Sequence, residues 1–223
     1  WGGGSKAMLA LELFNLKNVI IFDPYIKKIY LNNRDIKFYN KFSDLKSIIK
    51  KCSKFYVCIG NDDGYTRSTI AKKLISFKLK PLNLIHKSSI IHKSVKIGKM
   101  VMVMPGVIIN PFVKIGDFSV VNTSAVIEHD CVLEEGVDVM GSAVIAGNCI
   151  IKKFSAVGTN STIFPKITLN QNSFVGSGSV VRKDVNKNSI VVGNPARLLK
   201  KHILKDKRSL KSIIKLKKIW DWL

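Results

Sequence analysis

Aliphatic residues recur at every sixth position from Ile85 to Val181, seventeen times in succession. From Ser89 to Ser179, the position two residues earlier holds a small or β-branched side chain. A period of six fits neither an α-helix, with a period of 3.6, nor a simple strand, with a period of two. It equals three strand steps, so a short strand can point two residues inward before the chain turns a corner. Three such hexads close a triangular coil, and the pattern predicts a parallel β-solenoid of roughly five and a half coils.

Residues 18 positions apart are expected to stack in adjacent coils of this solenoid. Cys131 and Cys149 have this separation, and both fall at small, inward-facing positions. A disulfide is conceivable, but packing as small apolar side chains is the favoured interpretation, because free cysteines are often buried. The four cysteines form no CxxC pair, so the sequence indicates neither a zinc finger nor a disulfide framework and suits a reducing cytoplasm.

Residues 1–84 lack the six-residue period and alternate strand-like with helix-like segments, which predicts a parallel sheet. The glycine run Gly2–Gly4 opens the first helix, where free backbone N–H groups could cradle a phosphate, although a plain tight turn is an equally common use. A first strand should precede this run, so we expect that a few residues are lacking ahead of Trp1. The predicted helices are Ala10–Leu16, Asp44–Lys51 and Ser68–Phe77, and the predicted strands are Asn18–Asp23, Asp35–Tyr39 and Phe55–Gly60.

The chain has a formal net charge of +22, which invites a nucleic-acid or acidic-membrane interpretation. However, 32 of the 37 basic residues are Lys, which is typical of an AT-rich genome encoding a solvated surface rather than of phosphate recognition by Arg. The net charge is +10 over residues 1–84, +2 over 85–181 and +10 over 182–223. A nearly neutral solenoid with few aromatic residues does not favour nucleic-acid binding.

Among the four histidines, His129 has the neighbours that a general base needs. It lies at a predicted corner between Glu128 and Asp130, and a carboxylate partner suits a His for proton transfer near neutral pH. A surface His in an acidic turn is an equally acceptable interpretation. His86 and His92 are expected on adjacent faces of the solenoid, so the sequence predicts no metal site.

The segment Val121–Cys131, VNTSAVIEHDC, resembles the motif of the hexapeptide-repeat, left-handed β-helix sugar acyltransferases. In this family a nucleotide-binding half-domain precedes the β-helix, as in the UDP-4-amino-sugar N-acetyltransferases and the enzymes named sialic-acid O-acetyltransferases. The resemblance continues to about Lys200 and includes Gly60-Asn61, Arg67, the sequence PLNLIH at 81–86 and the sequence VGNPAR at 192–197.

The resemblance implies a mixed α/β and β-solenoid architecture in three parts. These are a Rossmann-like sugar-nucleotide domain over 1–84, a left-handed parallel β-helix for acetyl-CoA binding and catalysis over 85–195, and a basic amphipathic helical tail over 196–223. It also implies a homotrimer whose sites lie between neighbouring prisms, with acetyl-CoA as acyl donor and no metal.

The resemblance assigns site roles residue by residue. His129 is implied to be the catalytic base, and Asp130 the carboxylate that orients it. Gly147 matches the glycine whose N–H meets the thioester carbonyl, and the 18-residue rule independently places it one coil from His129. Contacts with coenzyme A are implied for Gly147, Gly158, Gly193, Arg197 and Lys200, and contacts with the nucleotide sugar for Gly3, Gly4, Ser5, Asp23, Asn122 and Asp138.

Asp138 is a departure, because many members of the family have a second His there, nine residues after the base. An ionised carboxylate cannot donate a hydrogen bond, so a donor contact would be lost, and weaker activity is one expected consequence. Five of the six acids of the solenoid lie between Glu128 and Asp138. They would attract an ammonium acceptor, so N-acetylation of a nucleotide-linked amino sugar is favoured, with O-acetylation of a sugar such as sialic acid as the alternative.

From Ala196 onward the sequence predicts one or two helices with an apolar and a basic face. Packing on the prism or on a neighbouring subunit is the favoured role, and contact with an anionic membrane through Trp220 and Trp222 is the alternative. The expected location is therefore cytoplasmic, with or without peripheral contact at the inner membrane. A non-catalytic trimeric scaffold or binding module remains the alternative to an enzyme in surface-glycan synthesis.

Overall fold

The first domain combines three helices with short parallel strand pairs, in a computed structural model that describes residues 1–27, 36–60 and 62–202. Its elements are α1 Ser5–Leu13, β1 Ile20–Phe22, β2 Lys37–Tyr39, a 3-10 helix Phe42–Asp44, α2 Leu45–Lys51, β3 Lys54–Phe55, α3 Gly64–Ser76 and β4 Lys80–Pro81. Parallel pairs form between β1 and β2 and between β3 and β4, which confirms the predicted parallel pairing. Two helices begin earlier than predicted, because α1 starts directly after the glycine run and α3 starts at Gly64.

Trp1 and Gly2 lie between the two strand pairs of this domain. The Trp1 carbonyl accepts a hydrogen bond from Cys58 N at 2.6 Å, and Gly2 N donates to Phe22 O at 2.9 Å. The amino group of Trp1 donates to Tyr56 O at 2.7 Å, and burial lowers its pKa. The glycine run therefore leaves the interior of the domain and leads directly into α1.

The segment with the six-residue period forms the three sides of a left-handed triangular prism. The docked face contains β5 Leu84–Ile85, β8 Met102–Val103, β11 Val120–Val121, β14 Asp138–Val139, β17 Ala156–Val157, β20 Phe174–Val175, β22 Ser189–Val192 and β23 Arg197–Lys201. The open face contains β6 Ile90–Ile91, β9 Ile108–Ile109, β12 Val126–Ile127, β15 Val144–Ile145, β18 Thr162–Ile163 and β21 Val180–Val181. The third face contains β7 Lys96–Ile97, β10 Lys114–Ile115, β13 Val132–Leu133, β16 Ile150–Ile151 and β19 Thr168–Leu169.

The stacking rule of 18 residues is confirmed along the prism. Ile127, for example, pairs with Ile109 in the coil before and with Ile145 in the coil after. Cys131 and Cys149 are both free and buried, and each thiol donates to a backbone carbonyl at 3.1 Å, so they pack as small side chains rather than as a disulfide. From Val103 to Val181 the inward aliphatic column is buried, and the removal of this apolar surface from water stabilises the core.

Helix α3 of the first domain packs on the docked face. A Cβ on Gly64 would lie 1.7 Å from Gly136 O, so only glycine permits this approach of helix and corner. Beside it, Glu135 accepts hydrogen bonds from Ser68 Oγ and from Lys72 Nζ. The outward residues of the docked face, including Met102 and Val120, are consequently buried.

The chain from 197 to 201 corrects the predicted C-terminal helix. These residues form β23, which pairs antiparallel with β22. The last coil exposes unpaired backbone groups at its edge, and β23 satisfies them. The remainder of the predicted tail, 203–223, lies outside the described residues. In the described part of the chain, no helix has the length and apolar character that a membrane span requires.

Candidate active site

His129 lies on the corner that follows β12, at the edge between the open face and the third face. Asp130 adopts a left-handed backbone conformation with φ of 59°, which Asp tolerates better than most residues. His129 Nδ1 lies 2.9 Å from Asp130 Oδ2, and both side chains are about half exposed. The ionised carboxylate can only accept, so Nδ1 carries the proton and Nε2 is the free base.

Gly147 lies directly beneath the His129 ring. Its position follows from the pairing of Ile127 with Ile145, which puts residues 129 and 147 at the same corner of adjacent coils. A Cβ on Gly147 would lie 2.6 Å from His129 Nε2, so the ring occupies the space that a side chain would need. Within the described chain, the Gly147 N–H donates to no partner. The structure thus brings together the predicted base, its carboxylate and an unpaired backbone donor.

Asn122 lies on a different corner of the prism from His129, with β12 between them. Its Nδ2 donates to Val139 O at 2.9 Å, which leaves the side-chain oxygen for a ligand. The corner at Ser124, whose φ is 58°, and the whole of β12 separate the two residues along the chain.

The glycine run forms an uncapped helix terminus in the first domain. Asp23 braces it, because its Oδ2 accepts from Gly3 N at 2.8 Å and its Oδ1 accepts from Tyr25 N at 2.9 Å. Gly4 is the N-cap of α1, and no side chain caps this helix. Gly4 and Ser5 are exposed, so the first-turn N–H groups are open to an anion. Asp23, in contrast, already uses both carboxylate oxygens.

No protein-family model matches the chain. A 44-residue segment, 20% of this chain, is 39% identical to a Staphylococcus aureus protein named only provisionally as an acetyltransferase, and it spans about a fifth (22%) of that relative. Solved structures are similar over nearly the whole length. A histidine-to-asparagine variant of perosamine N-acetyltransferase from Caulobacter crescentus, in complex with CoA and GDP-perosamine, has a TM-score of 0.80 at 25% identity, with 89% of this chain and 94% of that chain covered.

Two further structures share the fold at lower identity. The acetyltransferase domain of PglB from Neisseria gonorrhoeae has a TM-score of 0.79 at 22% identity, covering 89% of this chain and 97% of that one. WeeI from Acinetobacter baumannii has a TM-score of 0.75 at 24% identity, covering 89% of this chain and 95% of that one. The chain has the left-handed β-helix fold of these acetyltransferases. The period-six prism, the helix-bearing first domain and the His129 corner all agree with this assignment.

The far end of the prism holds the residues expected near coenzyme A. Arg197 is exposed and borders a cleft of about 540 Å³ that is also lined by Arg182 and Lys183. Lys200 is exposed on β23. Gly193 has φ of +99° and donates to Ser179 Oγ at 3.1 Å. Gly158 N already donates to Val175 O at 2.8 Å, so its N–H serves the coil pairing.

The five acids between Glu128 and Asp138 each have a partner, but only two of them are paired with Lys or Arg. Two are bound by the first domain, since Glu135 contacts Lys72, and Asp138 lies 2.9 Å from Arg67 with 1% of its side chain exposed. The other three also have partners: Glu128 accepts from Asn110 Nδ2, Glu134 from Lys153 N, and Asp130 pairs with His129. The partners of Glu128 and Glu134 are neutral N–H donors, so only the charges of Glu135 and Asp138 are offset by cations of the first domain.

Sequence reasoning gave no role to Arg67 and Lys6. Arg67 lies on α3, where it is fully buried and contacts the solenoid. The Lys6 Nζ atom is also buried, and burial lowers its pKa, although the nearby Asp138 carboxylate opposes the shift. The sequence does single out Arg67, because only five of the 37 basic residues are Arg and the others are Lys. His86 packs edge-on against Phe14, and no group of metal-ligating side chains occurs in the described ranges.

Proposed function

We propose that this protein transfers the acetyl group of acetyl-CoA to the amino group of a nucleotide-linked amino sugar. The observation that carries the proposal is the corner at which His129 Nε2 faces Gly147 while Asp130 holds Nδ1. The Caulobacter neighbour, which binds CoA and GDP-perosamine, supports the substrate classes. The same neighbour supports N-acetylation over O-acetylation, because perosamine is the acceptor that its name gives.

In the proposed reaction, His129 Nε2 removes a proton from the acceptor amine as its nitrogen attacks the thioester carbonyl carbon. Asp130 keeps the proton on Nδ1 and stabilises the imidazolium that forms. The carbonyl oxygen gains negative charge, and the Gly147 N–H, which has no partner within the described chain, would donate to it. Collapse of the tetrahedral intermediate breaks the C–S bond, and the proton on His129 passes to the leaving thiolate of coenzyme A.

The nucleotide sugar would bind at the glycine run, with its diphosphate at the open N-terminus of α1. Gly4 and Ser5 supply the unpaired N–H groups, and the helix dipole favours the negative charge. Gly3 and Asp23 set the shape of this turn rather than contacting the phosphates. The nucleotide end of coenzyme A would lie in the basic cleft of Arg182, Lys183 and Arg197.

A homotrimer with shared sites is part of the proposal. The outward residues of the open face form a continuous β-branched column that remains partly exposed: Ile90, Ile108, Val126, Val144, Thr162 and Val180. An uncovered apolar column of this kind indicates an interface. Asn122 and His129 lie at opposite edges of this face, so a site shared between neighbouring prisms would let one acceptor contact both kinds of residue. The free cysteines support a cytoplasmic enzyme, and an acetylated nucleotide sugar suits surface-glycan synthesis.

The proposal is tested by thiol release from acetyl-CoA with GDP-perosamine as acceptor. The unmodified protein should turn over, and His129→Gln should lower kcat/KM by about 10²–10⁴ because the base is lost. His92→Gln is the matched control, since His92 is paired only with Ser94 in the first coils. A His129→Gln rate within a factor of about three of the unmodified protein would contradict the base assignment.

The choice of acceptor is read from the same assay. Turnover with nucleotide sugars that carry only hydroxyl groups, and none with GDP-perosamine, would replace N-acetylation with O-acetylation. Absence of turnover together with absence of coenzyme A binding in calorimetry would favour a non-catalytic solenoid.

A further inference from the structure

Arg67 joins three separate parts of the molecule through one buried guanidinium. Its Nε donates to Phe118 O at 2.7 Å, and its Nη1 donates to Ile59 O at 2.9 Å. Its Nη2 lies 2.9 Å from Asp138 Oδ1, and neither side chain is exposed beyond 1%. Two of these contacts are on the docked face of the prism, and the third is on the turn that follows the segment Tyr56–Cys58.

The turn held by Arg67 lies against the glycine run. A Cβ added to Gly2 would lie 3.0 Å from Cys58 O, and a Cβ added to Gly60 would lie 3.1 Å from Lys6 Cε. Cys58 N also donates to Trp1 O. The turn therefore has little room to shift without moving both the glycine run and the first turn of α1.

The free-energy cost of burying the Arg67 guanidinium indicates that this residue has a role other than stabilising the fold. A buried guanidinium loses its hydration, and a well-packed apolar pair of similar volume often stabilises a fold as much or more. Lys6 adds a second buried cation near the pair, and no partner for its Nζ occurs among the described residues. What the guanidinium provides, and an apolar side chain does not, is a rigid set of N–H donors that fixes the Ile59 carbonyl relative to the Phe118 carbonyl. The contact of its Nη2 with Asp138 is an ion pair without a well-aligned hydrogen bond.

We propose that Arg67 is a positioning residue. It fixes the position of the turn at Cys58–Gly60 relative to the solenoid, and this turn then fixes the glycine run. This inference rests on the proposed function for its kinetic consequence, because the glycine run is where the nucleotide sugar would bind. Asp138 then acts as the counter-charge of Arg67 at the position where many members of the family have a second His. The residue tunes acceptor binding through the turn and touches neither acetyl-CoA nor the His129 corner.

Hydrogen–deuterium exchange tests the positioning role without any substrate. Arg67→Lys keeps the charge but loses the fork, so the hydrogen-bonded amides of Gly2, Gly3 and Cys58 should exchange about tenfold faster than in the unmodified protein. Lys72→Met is the matched control, because it removes the contact with Glu135 in the same interface and leaves the turn untouched. Unchanged exchange in Arg67→Lys, or an equal increase in Lys72→Met, would overturn the proposal. Asp138→Asn provides a second variant with the same expected pattern if Arg67→Lys does not fold.

Kinetics separate positioning from general destabilisation. Arg67→Lys should raise KM for GDP-perosamine about tenfold, while kcat and KM for acetyl-CoA stay within about threefold. A parallel loss in kcat and in both KM values would mean that Arg67 is only structural. If the unmodified protein does not turn over, the proposed function fails, and the exchange measurement still decides the role of Arg67.

Discussion

Gly147 illustrates what a single residue contributes to the candidate site. The sequence places it one coil from His129, and the structure adds that the imidazole fills the space above its Cα. That contact explains why a side chain cannot be tolerated there. The repeat alone predicts only the stacking, since the direction of the His129 ring depends on its hydrogen bond with Asp130.

Gly147→Ala is predicted to lower kcat/KM by about 10² or more, because the new Cβ would displace Nε2 and the approaching thioester. Steady-state thiol release measures the effect, and circular dichroism melting checks that the fold survives. Gly141→Ala is the matched control, since a Cβ there meets only Thr123 O at an ordinary 3.4 Å. Equal activity of the two variants would remove Gly147 from the site.

Helix α3 shows what is decided at the level of an element. Its predicted span was close, but its partners could not be read from the sequence, because Arg67 and Asp138 are 71 positions apart and meet only when the domains dock. The same docking takes Glu135 away from the acidic cluster around His129. A cluster in sequence is therefore a poor guide to a field in space, since charges alternate between faces and find different partners.

Glu135→Gln is predicted to weaken the docking of α3 in a pH-dependent way. Partial burial raises the pKa of the Glu135 carboxyl, but hydrogen bonds from Lys72 and Ser68 outweigh it, so the pKa lies below the usual value. The carboxylate therefore contributes stability above the unfolded pKa of about 4.3, and this contribution is lost as the pH falls through the folded pKa. Urea unfolding at pH 7 should show the variant less stable, and the difference should shrink below about pH 4. A difference that is the same at both pH values would contradict this assignment.

The first domain covers the docked face of the prism. The open face carries the β-branched column, and the third face is largely exposed. This asymmetry predicts how copies assemble, because the open face exposes only β-branched residues along its length. The basic net charge, in contrast, does not determine the assembly or the ligand. One group of basic residues beside a cleft is Arg182, Lys183 and Arg197 at the end of the prism, where Asp184 also lines the cleft.

Val144→Lys is predicted to dissociate the proposed trimer, because it places a cation in the middle of the open-face column. Light scattering after size-exclusion chromatography should change from trimer to monomer mass, with loss of most activity if the site is shared. Ile150→Lys is the control, since Ile150 points outward on the third face and is 40% exposed. An unmodified protein that is already monomeric would refute the shared site.

The sequence by itself determined the prism, its strand register and the stacking of His129 over Gly147, because a six-residue period is a local rule that each coil repeats. It also located the glycine run and the parallel pairing of the first domain. Only the tertiary structure decided that Asp138 pairs with Arg67 and Glu135 with Lys72 between the two domains. It also decided that residues 197–201 form a strand rather than a helix. These outcomes depend on contacts between segments far apart in the chain, and burial or an unpaired sheet edge, rather than local propensity, sets their energies.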